Sequence, residues 1–288
     1  MKQITVSAPA KINLTLDVLG KRADGYHDIE SVMHQINLSD LVSVTRIPEG
    51  IEVYSNRDDL PGGKSNLAYQ AAEAMVSRLG LKTGFRIFLE KNIPLGAGLA
   101  GGSTNAAAVI KAIDRLLGLN LHLNDMLEIG QQAGSDVPFC LFGDTAIARG
   151  RGELLTRVNR RIMLHLVLVN PGFQVSTARV YNLLDQETIT DRPDSLRMAG
   201  ALTNGDFAGI VSSLSNVMEK VTTRLHPEVA GIKDILVQAG AAGALMSGSG
   251  PTVFGLFNDA EAARRAFQVI KGFYPNTFCC SSYMENGG

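Results

Sequence analysis

Cysteine, excess charge and long apolar runs are all scarce in this sequence, and each scarcity argues against a class of protein. The three cysteines, Cys140, Cys279 and Cys280, form no Cys-x-x-Cys pair, so they suggest neither a zinc site nor a disulfide framework. The net charge of −1 argues against a large nucleic-acid-binding surface. The first residues lack the apolar block of a signal peptide, and the longest apolar run, Ile162–Val169, is too short to span a bilayer. We therefore expect a cytoplasmic protein with no nucleic-acid or membrane partner.

What remains is the composition of an ordinary globular protein. Hydrophobic residues make up 45% and charged residues 19% of the 288 residues, which allows one large or two ordinary domains. A change of region is suggested by Arg151-Gly152-Glu153 and by the basic stretch from Arg157 to Arg161. We expect two α+β domains, an N-terminal one over residues 1–156 and a C-terminal one over residues 157–288.

Alternation of apolar and polar residues predicts the first strand. In Lys11–Val18 the apolar residues share one face and the polar residues the other, which is typical of a strand with one face on the core. Ile162–Val169 is apolar on both faces and therefore resembles a central strand. Further strands are expected at Leu41–Arg46, Phe85–Glu90 and Thr252–Phe257.

Helices are predicted from apolar spacing together with start and stop residues. Asn66–Leu79 is rich in alanine and should end at Gly80. Asn124–Gly134 should be a second helix, capped by Asn124 or Asp125. Further helices are expected at Pro227–Leu236 and after a cap at Asn258 or Asp259.

The most informative stretch is a glycine-rich loop at residues 94–104, Pro-Leu-Gly-Ala-Gly-Leu-Ala-Gly-Gly-Ser-Thr. Apolar residues then recur at helical spacing until Gly118, so the loop leads into a helix N-terminus. Bare backbone N–H groups and the helix dipole suit such a loop to an anion, and we expect a nucleotide polyphosphate. No Gly-Lys-Ser/Thr follows the loop, so it is not a Walker loop. The alternative is a plain linker ahead of an amphipathic helix.

Two clusters near the N-terminus carry side chains that could act on a small molecule. Lys11 and Asn13 project together from the polar face of the first strand, where a lysine is usually only solvated. Tyr26 and His27 follow an Asp-Gly turn and are suited to hold a flat base by stacking and hydrogen bonding. The alternative for this pair is an ordinary β-turn with an ordinary histidine.

Two later clusters also have both a functional and a purely structural interpretation. Asp136 can supply the carboxylate that phosphoryl transfer needs beside the acceptor hydroxyl. The same segment is equally typical of a helix start, with Ser135 or Asp136 as the cap and Pro138 in the first turn. In the run Ser-Gly-Ser-Gly-Pro, Gly248 and its neighbours let another backbone or a phosphate approach closely, or form a plain turn before a strand.

The order of these motifs resembles that of the GHMP kinases, the superfamily of galactokinase, homoserine kinase, mevalonate kinase and phosphomevalonate kinase. The resemblance rests on Lys-Ile-Asn-Leu at 11–14, Gly-Leu-Ala-Gly-Gly-Ser-Thr at 98–104 and Ser-Gly-Ser-Gly-Pro at 247–251. Asp-Gly-Tyr-His at 24–27 and Gly-Ser-Asp-Val-Pro at 134–138 are similar to one branch, the 4-diphosphocytidyl-2-C-methyl-D-erythritol kinases. The resemblance implies a two-domain α+β fold, with an N-terminal domain like domain 2 of ribosomal protein S5 and a ferredoxin-like C-terminal domain.

The resemblance also implies an activity and its residues. The reaction would be phosphorylation of the 2-hydroxyl of 4-diphosphocytidyl-2-C-methyl-D-erythritol by ATP with Mg²⁺, a step of the non-mevalonate isoprenoid pathway. Asp136 would be the general base, and Lys11 would lie close to it and stabilise developing charge. The implied nucleotide-binding residues are Asn66 near the adenine, Pro94, Gly96, Gly98, Leu99, Ala100, Gly101 and Gly102, with Ser103 and Thr104 on the phosphates or the metal ion.

On the acceptor side, the resemblance places Tyr26 and Tyr181 on either side of the cytosine, with His27 reading its polar edge. Asn13 would orient the methylerythritol, and Gly248 and Ser249 are further acceptor-binding candidates. A sibling kinase for homoserine or a mevalonate derivative is one alternative, against which the Tyr-His pair argues because those acceptors carry no base. A metabolite sensor without activity is another, against which the presence of both Lys11 and Asp136 argues. Oligomeric state and metal ligands are left open.

Overall fold

A computed structural model of the chain describes residues 2–284, which form helices and strands joined mostly by short loops. The strands are β1 (Gln3–Lys21), β2 (His27–Ile47), β3 (Ile51–Ser55), β4 (Gly84–Glu90), β5 (Thr145–Gly150), β6 (Leu154–Arg157), β7 (His165–Val169), β8 (Ser215–Asn216), β9 (Gly243–Met246), β10 (Val253–Phe257) and β11 (Thr277–Ser281). The α-helices are α1 (Leu67–Leu79), α2 (Gly101–Leu117), α3 (Leu123–Ala133), α4 (Val137–Phe142), α5 (Thr177–Leu184), α6 (Ser195–Asn204), α7 (Phe207–Ser212), α8 (Glu219–Leu225), α9 (Glu228–Gln238) and α10 (Ala260–Ile270). No helix in the described part of the chain is long and apolar enough to cross a membrane.

The chain divides into two compact units, each assembled from several stretches. The first unit takes in residues up to Ala10, Leu38–Ile93 and Ala100–Gly143. The second takes in Lys11–Asn37, Pro94–Leu99 and residues from Asp144 onward. Strands β1 and β2 are long enough to contribute to both units, so the units do not correspond to two successive halves of the chain. The predicted boundary after residue 156 lies inside the second unit.

The first unit packs helices α1 to α4 with a small sheet. In that sheet β4 pairs antiparallel with residues 41–47 of β2, and β3 pairs parallel with β4. The start of α1 is fixed by Asn66, whose side chain accepts a hydrogen bond from the N–H of Ala68, and Gly80 ends the helix in a left-handed conformation. Gly118 ends α2 in the same way. These predicted helix boundaries are confirmed.

The predicted cap of α3 is wrong. Neither Asn124 nor Asp125 is the cap, because the helix begins earlier and His122 occupies the cap position without a side-chain hydrogen bond. The Asp114 carboxylate accepts a hydrogen bond from the N–H of Leu121 and so holds the chain just before α3. This contact with a side chain of α2 fixes where α3 can start, and the local cap signal is overridden.

The second unit contains a four-stranded antiparallel sheet with the order β11-β7-β10-β9. Strand β7 is central, as predicted, but it begins at His165 rather than at Ile162. Helices α9 and α10 pack on this sheet, and Asp259 caps α10 by accepting from the N–H groups of Glu261 and Ala262. The same unit holds residues 11–21 of β1 paired with β8, and the first part of β2 paired with β5. Both units are therefore α+β, as expected.

Candidate active site

The polar face of β1 is buried in the second unit. Lys11 is 5% and Asn13 is 1% exposed. The Lys11 ammonium donates to Asn13 Oδ1 at 2.7 Å, and Asn13 Nδ2 donates to the Ser31 hydroxyl at 2.8 Å. The alternative of a solvated lysine is thus wrong. Burying an ammonium group costs free energy, and a lysine needed only for solubility would be exposed, so this burial favours a functional role for Lys11.

Two glycine-rich loops of the second unit meet backbone to backbone. The Ser247 hydroxyl donates to the carbonyl oxygen of Gly98 at 3.0 Å. A Cβ on Gly98 would lie only 2.2 Å from the Ser247 carbonyl oxygen, and one on Gly248 would lie 3.2 Å from the Gly98 carbonyl oxygen. The backbone approach expected at Gly248 is therefore made by Gly98. The neighbouring Leu99 carbonyl accepts from the N–H of Lys11 at 3.2 Å, which ties this loop to β1.

The other predicted residues of these two loops are placed around that contact. Gly96 has a left-handed backbone, and a Cβ there would lie 2.9 Å from the side chain of Gln174. Pro94 is half-buried at the start of the loop. The Ser249 hydroxyl hydrogen-bonds the hydroxyl of Thr177 at 2.8 Å, at the beginning of α5. The loop at 247–251 therefore contacts both the glycine-rich loop at 94–104 and the helix that carries Tyr181.

In the first unit, the remaining loop residues open α2. Ala100 takes a left-handed backbone with φ of 56° and offers no side-chain cap. The first N–H groups of any helix have no intrahelical acceptor, so those of Gly101, Gly102 and Ser103 add to the positive end of the helix dipole. Thr104 differs, because its N–H donates to Ala100 and its buried hydroxyl donates to the Pro9 carbonyl at 2.7 Å. Contact of Thr104 with a ligand stays a prediction, and both of its donors are already used within the fold.

A buried ion pair that the sequence did not reveal lies beside the start of α2. The Lys91 ammonium donates to Asp40 and to Asn105 Oδ1, and the two charged side chains are 1% and 0% exposed. Desolvation lowers the pKa of Lys91, although Asp40 opposes that shift. A Cβ on Gly101 would lie 3.3 Å from Lys91 Nζ. Asp40 also accepts from the N–H of Ile93, so this pair fixes the end of β4 against the first turns of α2.

Asp136 lies in the first unit at the start of α4. Its backbone occupies the cap position and Pro138 is in the first turn, as the helix-start alternative requires. Its side chain, however, makes no capping hydrogen bond, so the carboxylate is not used to start the helix. Asn66 also belongs to this unit, where its amide caps α1 and donates to the Pro61 carbonyl at 2.8 Å. Lys11 belongs to the second unit, and its closeness to Asp136 stays a prediction.

The predicted base-binding residues come together in the second unit. The ring of His27 stacks on that of Tyr181, with the centroids 4.4 Å apart and the planes 16° from parallel. His27 is only 9% exposed, so the alternative of an ordinary turn histidine does not describe it. Tyr26 is 52% exposed, and the guanidinium of Arg151 lies 4.6 Å from its ring centroid. This unit therefore holds one exposed aromatic ring, that of Tyr26, and an imidazole whose face is stacked on Tyr181.

Sequence reasoning missed two residues of this cluster. Asp185 Oδ1 lies 2.7 Å from His27 Nε2, and Arg151 covers one face of Tyr26. Asp185 follows Tyr181 by four residues, so the helical i, i+4 spacing was the one available signal. Arg151 lies on the turn between β5 and β6, and no sequence pattern around it predicts a contact with Tyr26.

No cluster of three or more histidine, cysteine, aspartate or glutamate side chains within residues 2–284 could hold a metal ion by itself. A cation bound mainly by phosphate oxygens needs no such cluster, because Mg²⁺ usually keeps waters and takes one or two protein ligands. Ser103 carries a hydroxyl in the first turn of α2.

Comparison with known proteins defines the class. The model of the GHMP kinases N terminal domain matches residues 66–144, and that of the GHMP kinases C terminal domain matches residues 198–276. The crystal structure of a homoserine kinase from Cytophaga hutchinsonii, 23% identical, has the same fold with a TM-score of 0.80 over 99% of this chain and 96% of that one. The glycine-rich loops and these matches make the chain a GHMP kinase.

The branch follows from more similar relatives. A 4-diphosphocytidyl-2-C-methyl-D-erythritol kinase of Syntrophomonas wolfei is 47% identical over 98% of this chain and 99% of its own length. One from Exiguobacterium sibiricum is 46% identical over 98% and 99%. A crystal structure of 4-(cytidine 5'-diphospho)-2C-methyl-D-erythritol kinase is 33% identical, with a TM-score of 0.82 over 98% of this chain and 100% of that one. The chain belongs to the 4-diphosphocytidyl-2-C-methyl-D-erythritol kinase family.

Proposed function

We propose that this ATP-dependent small-molecule kinase phosphorylates the 2-hydroxyl of 4-diphosphocytidyl-2-C-methyl-D-erythritol. The observation that carries the proposal is the stacked pair of His27 and Tyr181 in the same unit as the buried Lys11 and Asn13. The acceptor of a homoserine or mevalonate kinase carries no base, so such an enzyme has no use for an aromatic and imidazole pair at the acceptor site. A cytidine-bearing acceptor has such a use, and its alcohol end needs a polar, charged subsite like that of Lys11.

The glycine-rich loop and the start of α2 are proposed to bind the phosphates of ATP. Gly96, Gly98 and Leu99 form the first half of this loop, and the first-turn N–H groups of Gly101, Gly102 and Ser103 form the second. Asn66 is proposed to lie near the adenine. Mg²⁺ would neutralise phosphate charge, and Ser103 would contact the phosphates or this ion.

Asp136 is proposed as the general base. Its carboxylate would accept the proton of the 2-hydroxyl while the oxygen of that group forms a bond to the γ-phosphorus. The bond from this phosphorus to the bridging oxygen of ADP breaks in the same displacement. Lys11 would stabilise the negative charge that develops on the transferred group, and Asn13, already bound to Lys11, would orient the methylerythritol. A general base contributes about 10²- to 10⁴-fold to a rate.

The acceptor's cytosine is proposed to lie against Tyr26 and Tyr181, with His27 at its polar edge. Gly248 and Ser249 would border the acceptor from the loop that meets Gly98. Each base–aromatic stack is worth about 1–3 kcal/mol, so the exposed ring of Tyr26 alone can account for a large part of acceptor affinity.

ADP release with Mg·ATP tests the substrate directly. Three acceptors are compared at matched concentrations: 4-diphosphocytidyl-2-C-methyl-D-erythritol, homoserine and mevalonate. Turnover with the cytidylated acceptor alone is the expected result. Turnover with homoserine or mevalonate instead would support a sibling kinase and overturn the cytosine subsite. ATP binding without turnover on any of the three would favour a metabolite sensor.

A further inference from the structure

The two nitrogens of His27 have different surroundings. Nε2 lies 2.7 Å from Asp185 Oδ1. A carboxylate oxygen can only accept, so this contact assigns the ring proton to Nε2. The other oxygen of Asp185, Oδ2, lies 3.6 Å from Lys21 Nζ, and the carboxylate is therefore held from two sides.

Nδ1 is the nitrogen that remains for a ligand. It has no hydrogen-bond partner within residues 2–284. In that same range no buried polar side-chain atom lacks a partner, so Nδ1 must be accessible from outside the fold although the residue is only 9% exposed. In a neutral imidazole with its proton on Nε2, Nδ1 is a hydrogen-bond acceptor.

We infer that Asp185 determines which pyrimidine the acceptor site takes. By holding the proton of His27 on Nε2, it makes Nδ1 accept from an exocyclic amino group and repel a carbonyl at the same place. Cytosine presents an amino donor at this edge, and uracil presents a carbonyl acceptor. This inference rests on the proposed function and adds to it that Asp185, a positioning residue, makes the site select a cytidine diphosphate over a uridine diphosphate acceptor.

The stacking of His27 on Tyr181 supports the same arrangement. A base that is hydrogen-bonded edge to edge with His27 continues the plane of its ring. The planes of His27 and Tyr181 are 16° from parallel, so the Tyr181 ring fixes the plane in which such an edge-to-edge contact forms. Asp185 and Tyr181 together restrict rotation of the imidazole, because one holds its edge and the other its face.

Acceptor selectivity in Asp185→Ala is the first test. Values of kcat/KM are measured for 4-diphosphocytidyl-2-C-methyl-D-erythritol and for its uracil counterpart in the wild type and in two variants. The wild type should prefer the cytosine acceptor by about tenfold to a hundredfold, the usual worth of one base-edge contact. Asp185→Ala should bring the two acceptors close to equality with KM for ATP unchanged. The matched control, Asp191→Ala, changes an exposed aspartate that accepts a hydrogen bond from the Thr190 hydroxyl and should keep the full preference.

A preference that survives in Asp185→Ala would overturn the inference, and so would its loss in Asp191→Ala. The ¹⁵N spectrum of the His27 ring in the free protein is a second readout, independent of turnover. It should show a protonated Nε2 and an unprotonated Nδ1 in the wild type, and a mixture of tautomers in Asp185→Ala. A wild-type ring with its proton on Nδ1 would overturn the inference while the kinase proposal stands. Absence of turnover with both acceptors in the wild type would instead overturn the proposed function.

Discussion

The hydroxyl of Ser247 donates a hydrogen bond to the carbonyl oxygen of Gly98, at 3.0 Å and across 149 positions of the sequence. This contact joins the two glycine-rich loops that the motif pattern treats separately. It also requires glycine at position 98 independently of nucleotide binding, because the α-carbon of Gly98 faces another backbone. The loop is thus held in place by the fold before any phosphate binds, which is how a binding loop avoids the entropic cost of ordering.

Gly98→Ala should destabilise the protein. Its Cβ would lie 2.2 Å from the Ser247 carbonyl oxygen, and φ of +75° is itself unfavourable for alanine. A left-handed non-glycine residue costs about 1–3 kcal/mol before the clash is added. Urea unfolding measures the loss. The control is Gly231→Ala, in the exposed interior of α9 with nothing within 4 Å, which should be neutral or stabilising by up to about 1 kcal/mol. Equal stability of both variants would contradict the backbone contact.

Tyr26→Ala should weaken acceptor binding and leave ATP binding unchanged. The lost stack corresponds to about 1–3 kcal/mol, or roughly a fivefold to hundredfold rise in KM for the acceptor. Tyr54→Ala removes a tyrosine of similar exposure, 54% against 52%, from strand β3 and should change neither KM. Steady-state kinetics with each substrate varied in turn gives both values. An unchanged acceptor KM in Tyr26→Ala would remove Tyr26 from the cytosine site.

His34 should make stability depend on pH. It is fully buried in β2 between the hydroxyls of Thr145 and Ser282, at 2.8 and 2.9 Å. Desolvation, with a smaller effect from Arg160, lowers the pKa of His34 to about 3. The unfolded chain takes up a proton near pH 6.5, whereas the folded chain does not, so stability falls as the pH drops from about 6.5 towards 3. The slope from this residue is about 1.4 kcal/mol per pH unit.

The dependence is measured by urea unfolding at several pH values in this window. His34→Gln is less stable at neutral pH if the hydrogen bonds to Thr145 and Ser282 are lost, but its slope should be shallower than that of the wild type. The comparison of slopes, rather than of stabilities, separates titration from packing. Identical slopes would show that His34 does not titrate between the folded and unfolded states as its burial requires.

Local signals predicted the first unit's helices well because their causes are local. Asn66 caps α1 and Gly80 ends it, and both effects involve residues within one turn of the helix. The glycine-rich loop leads into α2 as expected. The cap of α3 failed because Asp114, from another helix, holds the preceding residue. Helices α5 to α8 were not predicted, because each is ten residues or shorter and shows little apolar repeat. Local caps do exist for three of them, at Ser176, Asp194 and Asp206.

The site residues that belong to a sequence motif were predictable. Those that come together from distant positions of the sequence were not. Tyr26 and His27 stand out as an aromatic and imidazole pair after a turn. No local pattern marks Asp185, Arg151 or the Lys91 ion pair. Each became a candidate only through its contact with a residue that is distant in sequence. Whether a charged side chain is solvated or buried depends on tertiary contacts. A lysine on a half-buried strand is usually solvated, but Lys11 is buried.

If Asp136 takes the proton of the acceptor hydroxyl, turnover by Asp136→Asn is the quantity that depends on it most strongly. ADP release with Mg·ATP and 4-diphosphocytidyl-2-C-methyl-D-erythritol should fall by about 10²- to 10⁴-fold, because the amide cannot take the hydroxyl proton. ATP affinity should stay close to that of the wild type. Asp125→Asn, an exposed carboxylate in the first turn of α3, is the control and should keep full turnover. Wild-type turnover in Asp136→Asn would show that Asp136 is not the general base.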